Sequence, residues 1–332
     1  MPMKMLIAMA LATFAPAVLA AQTLQVIVFQ GGANWPLWVA MEKGHFASQG
    51  VEIKITPTPG SVYLVQNLVE GKFDIGFMTF DNVVGYNEGQ GEAKLDRPAD
   101  LIAFLGGLTG GLRLLVHPDI HSFADLKGKS LAVDAPSTGY SLVLRKFLEQ
   151  GGLSEADYKL ENMGGTGERA EALMQNKTVG TIVTSPIDLL PIAKGYRVLA
   201  DSKSIGPYQA TLFVARREWA RAHESELVGF IRGYVDGLDW LSDPAHRDEA
   251  VAIYRKHLPK ATEQSARKAW DALLTAKDEG LSKQGRIDLA GVSTVLKLRS
   301  EYGRPQKQLT DPSRYVDESY YEKAMQRTGG SR

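Results

Sequence analysis

Four short stretches of the chain gather hydroxyl, amide, aromatic and charged side chains at sites where helices begin. Asn34 and Trp35 stand just before Pro36, and Asp81 lies in Thr79-Phe80-Asp81-Asn82. Ser137-Thr138-Gly139-Tyr140 follows a short apolar run, and Arg169 closes Gly164-Gly165-Thr166-Gly167-Glu168-Arg169. The first N–H groups of a helix lack internal partners and carry partial positive charge, so such positions can hold a ligand. Each residue also has an ordinary role. Trp35 either stacks on a ligand or packs in the core. Asp81 either caps its helix or meets a cationic group in a cleft. Ser137 and Thr138 either satisfy their own helix or face a solute. Arg169 sits in a first turn, where its charge opposes the helix dipole. It therefore calls for an anionic partner, either a ligand or a neighbouring acid such as Glu168 or Glu171. Tyr140 and Tyr208 combine an apolar body with a polar tip, which suits a cleft wall.

Catalytic patterns are missing. The six histidines are scattered. His117 and His121 have an i, i+4 spacing, but Pro118 between them argues against a helix and hence against a metal pair. There is no HExxH, GxSxG, GxxxxGK[ST] or GxGxxG. The chain has no cysteine, which excludes disulfides, thiolate catalysis, iron–sulfur clusters and cysteine-ligated zinc. No cofactor and no metal site are expected, and no catalytic motif marks the chain as an enzyme.

The elements that must position these loops alternate. Leu24–Phe29, Val51–Ile55 and Phe73–Phe77 read as strands. Helices begin near Pro36, Ser61 and Thr79. Leu101–Leu105 is a further buried strand. Gly106 to Gly111 reads as a flexible crossing into a second unit, which starts at Leu112–Val116. That unit repeats the pattern, with strands at Ser130–Val133, Tyr158–Glu161, Val179–Val183 and Tyr196–Leu199. Helices follow Ser137, Gly165 and Thr184-Ser185-Pro186. Tyr208–Ala215 reads as the crossing back. Glu224–Leu241, Pro244–His257, Thr262–Leu274, Leu289–Tyr302 and Glu318–Met325 then read as helices packed on the first unit, before a frayed Gly329–Arg332 end. Alternation with short loops predicts an α/β fold of two lobes, each a mostly parallel sheet flanked by helices, with two crossing strands as the hinge. Ligands in such sheets sit at the C-terminal ends of strands, here in an interlobe cleft.

The chain has 332 residues, enough for two domains, with 38 basic and 38 acidic residues. That balance gives no electrostatic case for nucleic acid or an anionic membrane. Lys4, the apolar Met5–Leu19 and Val18-Leu19-Ala20 before Ala21 form a secretory leader cleaved after about Ala20. About fifteen apolar residues are too few to span a bilayer. The expected division is a leader over 1–20, a first part of lobe 1 over 21–110, lobe 2 over 111–208, and the completion of lobe 1 with C-terminal helices over 209–332. The mature protein is expected in the periplasm.

Several motifs together resemble one family. Pro36-Leu37-Trp38-Val39-Ala40-Met41-Glu42-Lys43-Gly44-His45-Phe46 with Gly50-Val51-Glu52-Ile53 is similar to the opening of type II periplasmic solute-binding proteins of ABC importers. These are the nitrate, alkanesulfonate, taurine and thiamine-pyrimidine-precursor binders. Glu70–Gly76, Asp125–Lys129 and Gly164–Pro186 extend the resemblance over about residues 24–240. It implies a monomer that captures a small solute, an anion or a pyrimidine-like compound, and delivers it to an inner-membrane permease with its ATPase. It also implies ligand-holding loops at Gly32–Trp35, Thr79–Asn82, Ser137–Tyr140, Gly165–Arg169 and Ser185, which adds Thr79, Thr166 and Ser185 to the candidates. Two other readings go with the fold. Thiamine-pyrimidine synthases resemble these binders, but they carry a cysteine-rich iron motif that this sequence lacks and are not exported. A ligand sensor docking on a membrane receptor is the other.

Overall fold

The computed structural model describes residues 22–326. The leader expected over 1–20 and the Gly329–Arg332 end lie outside them. The strands are β1 Gln22–Val28, β2 Val51–Pro57, β3 Ile75–Thr79, β4 Leu101–Thr109, β5 Leu112–Val116, β6 Ser130–Val133, β7 Lys159–Asn162, β8 Gly180–Thr184, β9 Arg197–Asp201, β10 Gln209–Arg216 and β11 Gly280–Leu281. The helices are α1 Trp35–Glu42, α2 Ser61–Val69, α3 Phe80–Asn87, α4 Gly139–Gln150, α5 Thr166–Met174, α6 Leu189–Ala193, α7 Arg217–Ala222, α8 Glu224–Ser242, α9 Arg247–His257, α10 Glu263–Leu274, α11 Leu289–Tyr302 and α12 Ser319–Met325.

Two sheets form the cores of two lobes. The first has strand order β11-β4-β10-β3-β1-β2 and the second β7-β6-β8-β5-β9. Among the strands of the described residues, only β2-β1-β3 and β7-β6-β8 pair in parallel. The remaining pairings are antiparallel, so the sheets are mixed rather than mostly parallel. The difference comes from the crossing strands: β10 returns from the second lobe and inserts against the direction of β3 and β4.

The expected flexible crossing is shorter than Gly106–Gly111. Gly106 and Gly107 belong to β4, and a Cβ on Gly107 would stand 2.3 Å from the Phe77 ring. Their glycines serve close packing. The turn itself is Gly110-Gly111, with φ of 55° and 67°, which side-chain-bearing residues rarely adopt. Gly110 N–H donates to the Tyr208 carbonyl at 2.8 Å, so the two crossings are hydrogen-bonded to each other.

α1 is apolar almost all round, with Trp35 to Ala40 buried, as a helix between layers must be. It lies against α8 and α9. α8 carries Gly229, Gly233 and Gly237 at four-residue spacing. A Cβ at Gly233 would meet Phe46 at 2.5 Å, and one at Gly237 would meet Ala40 at 2.7 Å. This stripe brings α8 close to α1, while Leu227, Phe230, Ile231, Tyr234 and Leu238 fill the core as their spacing predicts. The C-terminal helices do more than cover lobe 1. α11 touches α3 and α4, and α10 touches α6, so both also brace lobe 2.

Candidate functional site

A cavity of about 80 Å³ opens between the lobes, several times the ~10–15 Å³ a single water needs on the same measure. Lobe 1 contributes the turn directly after β1 (Phe29 to Ala33), together with Thr58, Phe77, Thr79, Asn82 and Thr211. Lobe 2 contributes Asp134, Thr138, Tyr140, the first turn of α5, and Thr184 to Ile187. The α/β geometry accounts for this placement, because these residues lie at strand ends and helix starts.

The lobes touch around the cavity. Asp134, directly after β6 of lobe 2, accepts from the Ser61 N–H at the start of α2 in lobe 1, at 3.3 and 3.4 Å to its two oxygens. A Cβ on Gly32 would stand 2.8 Å from Pro186. At the hinge side Arg113 of β5 donates to Asp188 at 2.8 Å and to Glu279 of lobe 1 at 2.6 Å. These contacts describe a closed cleft.

Of the sequence candidates, Thr79, Thr138, Tyr140, Thr166, Arg169 and Ser185 line the cavity, and five do not, among them Tyr208, which is buried away from it. Trp35 is fully buried, donates its indole N–H to the Ala250 carbonyl at 3.1 Å, and packs on Tyr254 at 4.3 Å between centroids. It is a core residue, because α1 is covered on both sides by helices that arrive two hundred residues later. Asn34 is buried beside it and donates to the Phe29 carbonyl. Asp81 is held by both its oxygens to Arg299, so its carboxylate is already neutralised. Ser137 turns away, its N–H on Glu92 and its carbonyl on Arg299.

Arg169 forms no salt bridge with its sequence neighbours Glu168 or Glu171 among the described residues. Its guanidinium is 2% exposed and donates to Thr181 Oγ1, the Gly164 carbonyl, Thr166 Oγ1 and the Ile182 carbonyl. Burial pulls its pKa down from the ordinary value, and the charge of Asp134 acts the other way. Burial pushes the Asp134 carboxyl up, against the bond from Ser61 and the charge of Arg169. Tyr140, bonded to Thr184, is likewise raised by burial. Ser185 donates to Asp188 and accepts from Arg113. α6 therefore begins only at Leu189, later than Thr184-Ser185-Pro186 suggests.

Asn82 and Thr211, which the sequence did not single out, also stand in the wall. Asn82 is 2% exposed, and its amide makes no hydrogen bond among the described residues. Thr79 and Thr211 face each other across β3 and β10, and both hydroxyls are buried without a partner. Leaving such a group unpaired costs about 1–3 kcal/mol. The charges in the wall are Asp134 and Glu168 against Arg169. Bringing an anion to ~5 Å from a carboxylate costs about 3 kcal/mol at an effective dielectric of ~20. A helix N-terminus returns only ~0.3–1 kcal/mol, and up to ~2 in favourable geometry.

Comparison with known proteins places this architecture among the two-lobed α/β folds of periplasmic binding proteins. The periplasmic nitrate-binding protein NrtA from Synechocystis PCC 6803 superposes with a TM-score of 0.77 at 14% identity, covering 93% of this chain and 89% of that one. The alkanesulfonate-binding protein SsuA from Xanthomonas axonopodis pv. citri gives 0.68 at 16% identity, covering 89% and 98%. The desulfurization enzyme DSZB gives 0.60 at 15% identity, covering 93% and 100%. At these identities the likeness is one of fold. The chain belongs to the NMT1-like family, whose model matches residues 21–255.

Proposed function

We propose that this protein is the periplasmic solute-binding component of an ABC importer. It encloses a small organic solute between its lobes and hands it, as a monomer, to an inner-membrane permease and its ATPase. The observation that carries this reading is the interlobe cavity itself. Its walls come from both lobes, and the lobes are joined by two crossings that can act as a hinge. The Thr79 and Thr211 hydroxyls in the wall are buried and unpartnered among the described residues, as recognition groups are before a ligand arrives.

The fold also serves an enzyme, DSZB. The wall favours binding over chemistry here: the sequence has no cysteine, and the Ser185 hydroxyl is committed to Asp188 and Arg113 with no histidine among the lining residues. The leader read from the sequence supports export. Mass spectrometry of solute released from the purified native protein tests the reading directly. A stoichiometric small molecule, rebound unchanged in calorimetry, is the expected result. Turnover of the solute into a product would replace the importer component with an enzyme.

A further inference from the structure

The free polar groups of the cavity have a chemistry of their own. Asn82, Thr79 and Thr211 stand together at the C-terminal end of β3, the first turn of α3 and the facing position of β10. A primary amide offers an acceptor and two donors side by side, and a hydroxyl offers both roles. Opposite them, Asp134 presents a carboxylate whose only protein hydrogen-bond partner among the described residues is Ser61. The cation in the lining, Arg169, is already donating to four protein acceptors. The same wall includes the apolar rings of Phe29, Phe77 and Tyr140.

We propose that the cleft is built for a compact, flat solute with an amide- or amidine-type N–H edge, uncharged or cationic, and not for an oxyanion such as nitrate or a sulfonate. Asn82 pairs with the donor–acceptor edge of the solute. The Thr79 and Thr211 hydroxyls complete that edge, and Asp134 accepts an N–H from the lobe 2 side. An oxyanion would meet acceptors at Asp134 and Glu168 and no uncommitted guanidinium. This assignment rests on the binding-protein reading and names the ligand class for the same site.

The test uses the full mature chain, stripped of bound solute by unfolding and refolding. Thermal shift and calorimetry are run with benzamide, benzamidine, benzoate, benzenesulfonate and nitrate. Benzamide or benzamidine is expected to raise the Tm and to bind at least ~10-fold more tightly than the three anions, since each 1.4 kcal/mol is tenfold. Asn82→Leu is expected to abolish that preference while leaving the Tm of the empty protein unchanged or higher. Asp134→Asn should weaken benzamidine more than benzamide. Tighter binding of any anion would overturn the ligand class and leave the binding-protein reading standing. Unaltered amide binding in Asn82→Leu would overturn it too. Silence from all five probes would also reject the class. The solute identified by mass spectrometry would then decide whether the binding-protein reading survives.

Discussion

Arg299 and Asp81, 218 positions apart, form a two-point ion pair with both side chains 1% exposed. Nε lies 2.6 Å from Oδ1 and Nη2 lies 2.5 Å from Oδ2. The same Nη2 donates to the Ser137 carbonyl of lobe 2, so one guanidinium ties α11, α3 and the start of α4 together. Removing one partner of a buried pair strands the other charge, typically at about 3–5 kcal/mol. Arg299→Met and Asp81→Leu should each lose stability on that scale in urea unfolding. The double variant should lose clearly less than the sum. Strict additivity would mean the two groups do not act as a pair.

Gly139 lets the start of α4 in lobe 2 pack directly against Asp81. A Cβ there would stand 2.4 Å from Asp81 Cβ and 2.6 Å from its Cγ. Because Asp81 is pinned by Arg299, it cannot retreat. Gly139→Ala should therefore hold the lobes apart. Small-angle scattering should give a larger radius of gyration with an unchanged circular-dichroism spectrum. Solute affinity should fall roughly tenfold or more as the closed fraction drops. An unchanged radius and affinity would mean that α4 can slide past Asp81.

Trp35 offers a contrast between folding and binding. Trp35→Phe removes the indole bond to Ala250 and leaves a void against Tyr254. About 1–3 kcal/mol of stability should go, with the solute Kd unaltered in calorimetry. A weakened Kd at constant Tm would place the indole in the cleft after all.

Glu88 sets part of the acid limb of stability. Burial opposes its ionisation, yet Lys307 at 2.9 Å, Tyr315 at 2.8 Å and Arg314 at 2.7 Å together hold its carboxyl below the ordinary value of 4.5. A carboxyl depressed in the folded state adds stability that is full above the unfolded value and lost as pH falls through the folded one. Urea midpoints measured from pH 6 downward, starting about 1.5 units above the ordinary value, should therefore drop for the parent. The drop should be shallower in Glu88→Gln. Equal slopes would remove Glu88 from the acid response.

How much of this the sequence discloses depends on whether a property is local. Strand and helix spans come from apolar spacing, so α8 and α11 start where their patterns start. The family resemblance adds Thr79, Thr166 and Ser185 to the cavity wall; the rule that ligands sit at strand ends finds Thr138, Tyr140 and Arg169. Applied more strictly it also reaches Asp134, the residue directly after β6. Side-chain direction within a helix start is not local. Asp81 and Asn82 are neighbours about 100° apart on α3; one turns to Arg299 and the other to the cavity. Only the arrival of α11 settles which faces which. Trp35 fails for the same reason, since α9 is what covers it. Thr211 lies on a strand read as a mere crossing, and the cavity floor is formed by its pairing with Thr79.

The place of β10 between β3 and β4 bears on how the chain can be assembled. Lobe 2 draws its whole sheet from one contiguous run, β5 to β9, and can complete it as soon as that run is available. Lobe 1 cannot. β3 and β4 have no direct pairing with each other and flank a slot that only residues 209–216 fill. A chain made from its N-terminus thus holds the first lobe unfinished, with an open strand edge on each side of the gap, until the second lobe has been made and the chain has turned back. The cleft wall at Thr211 is among the last surfaces to form, and an incomplete chain has no floor on which to hold a solute.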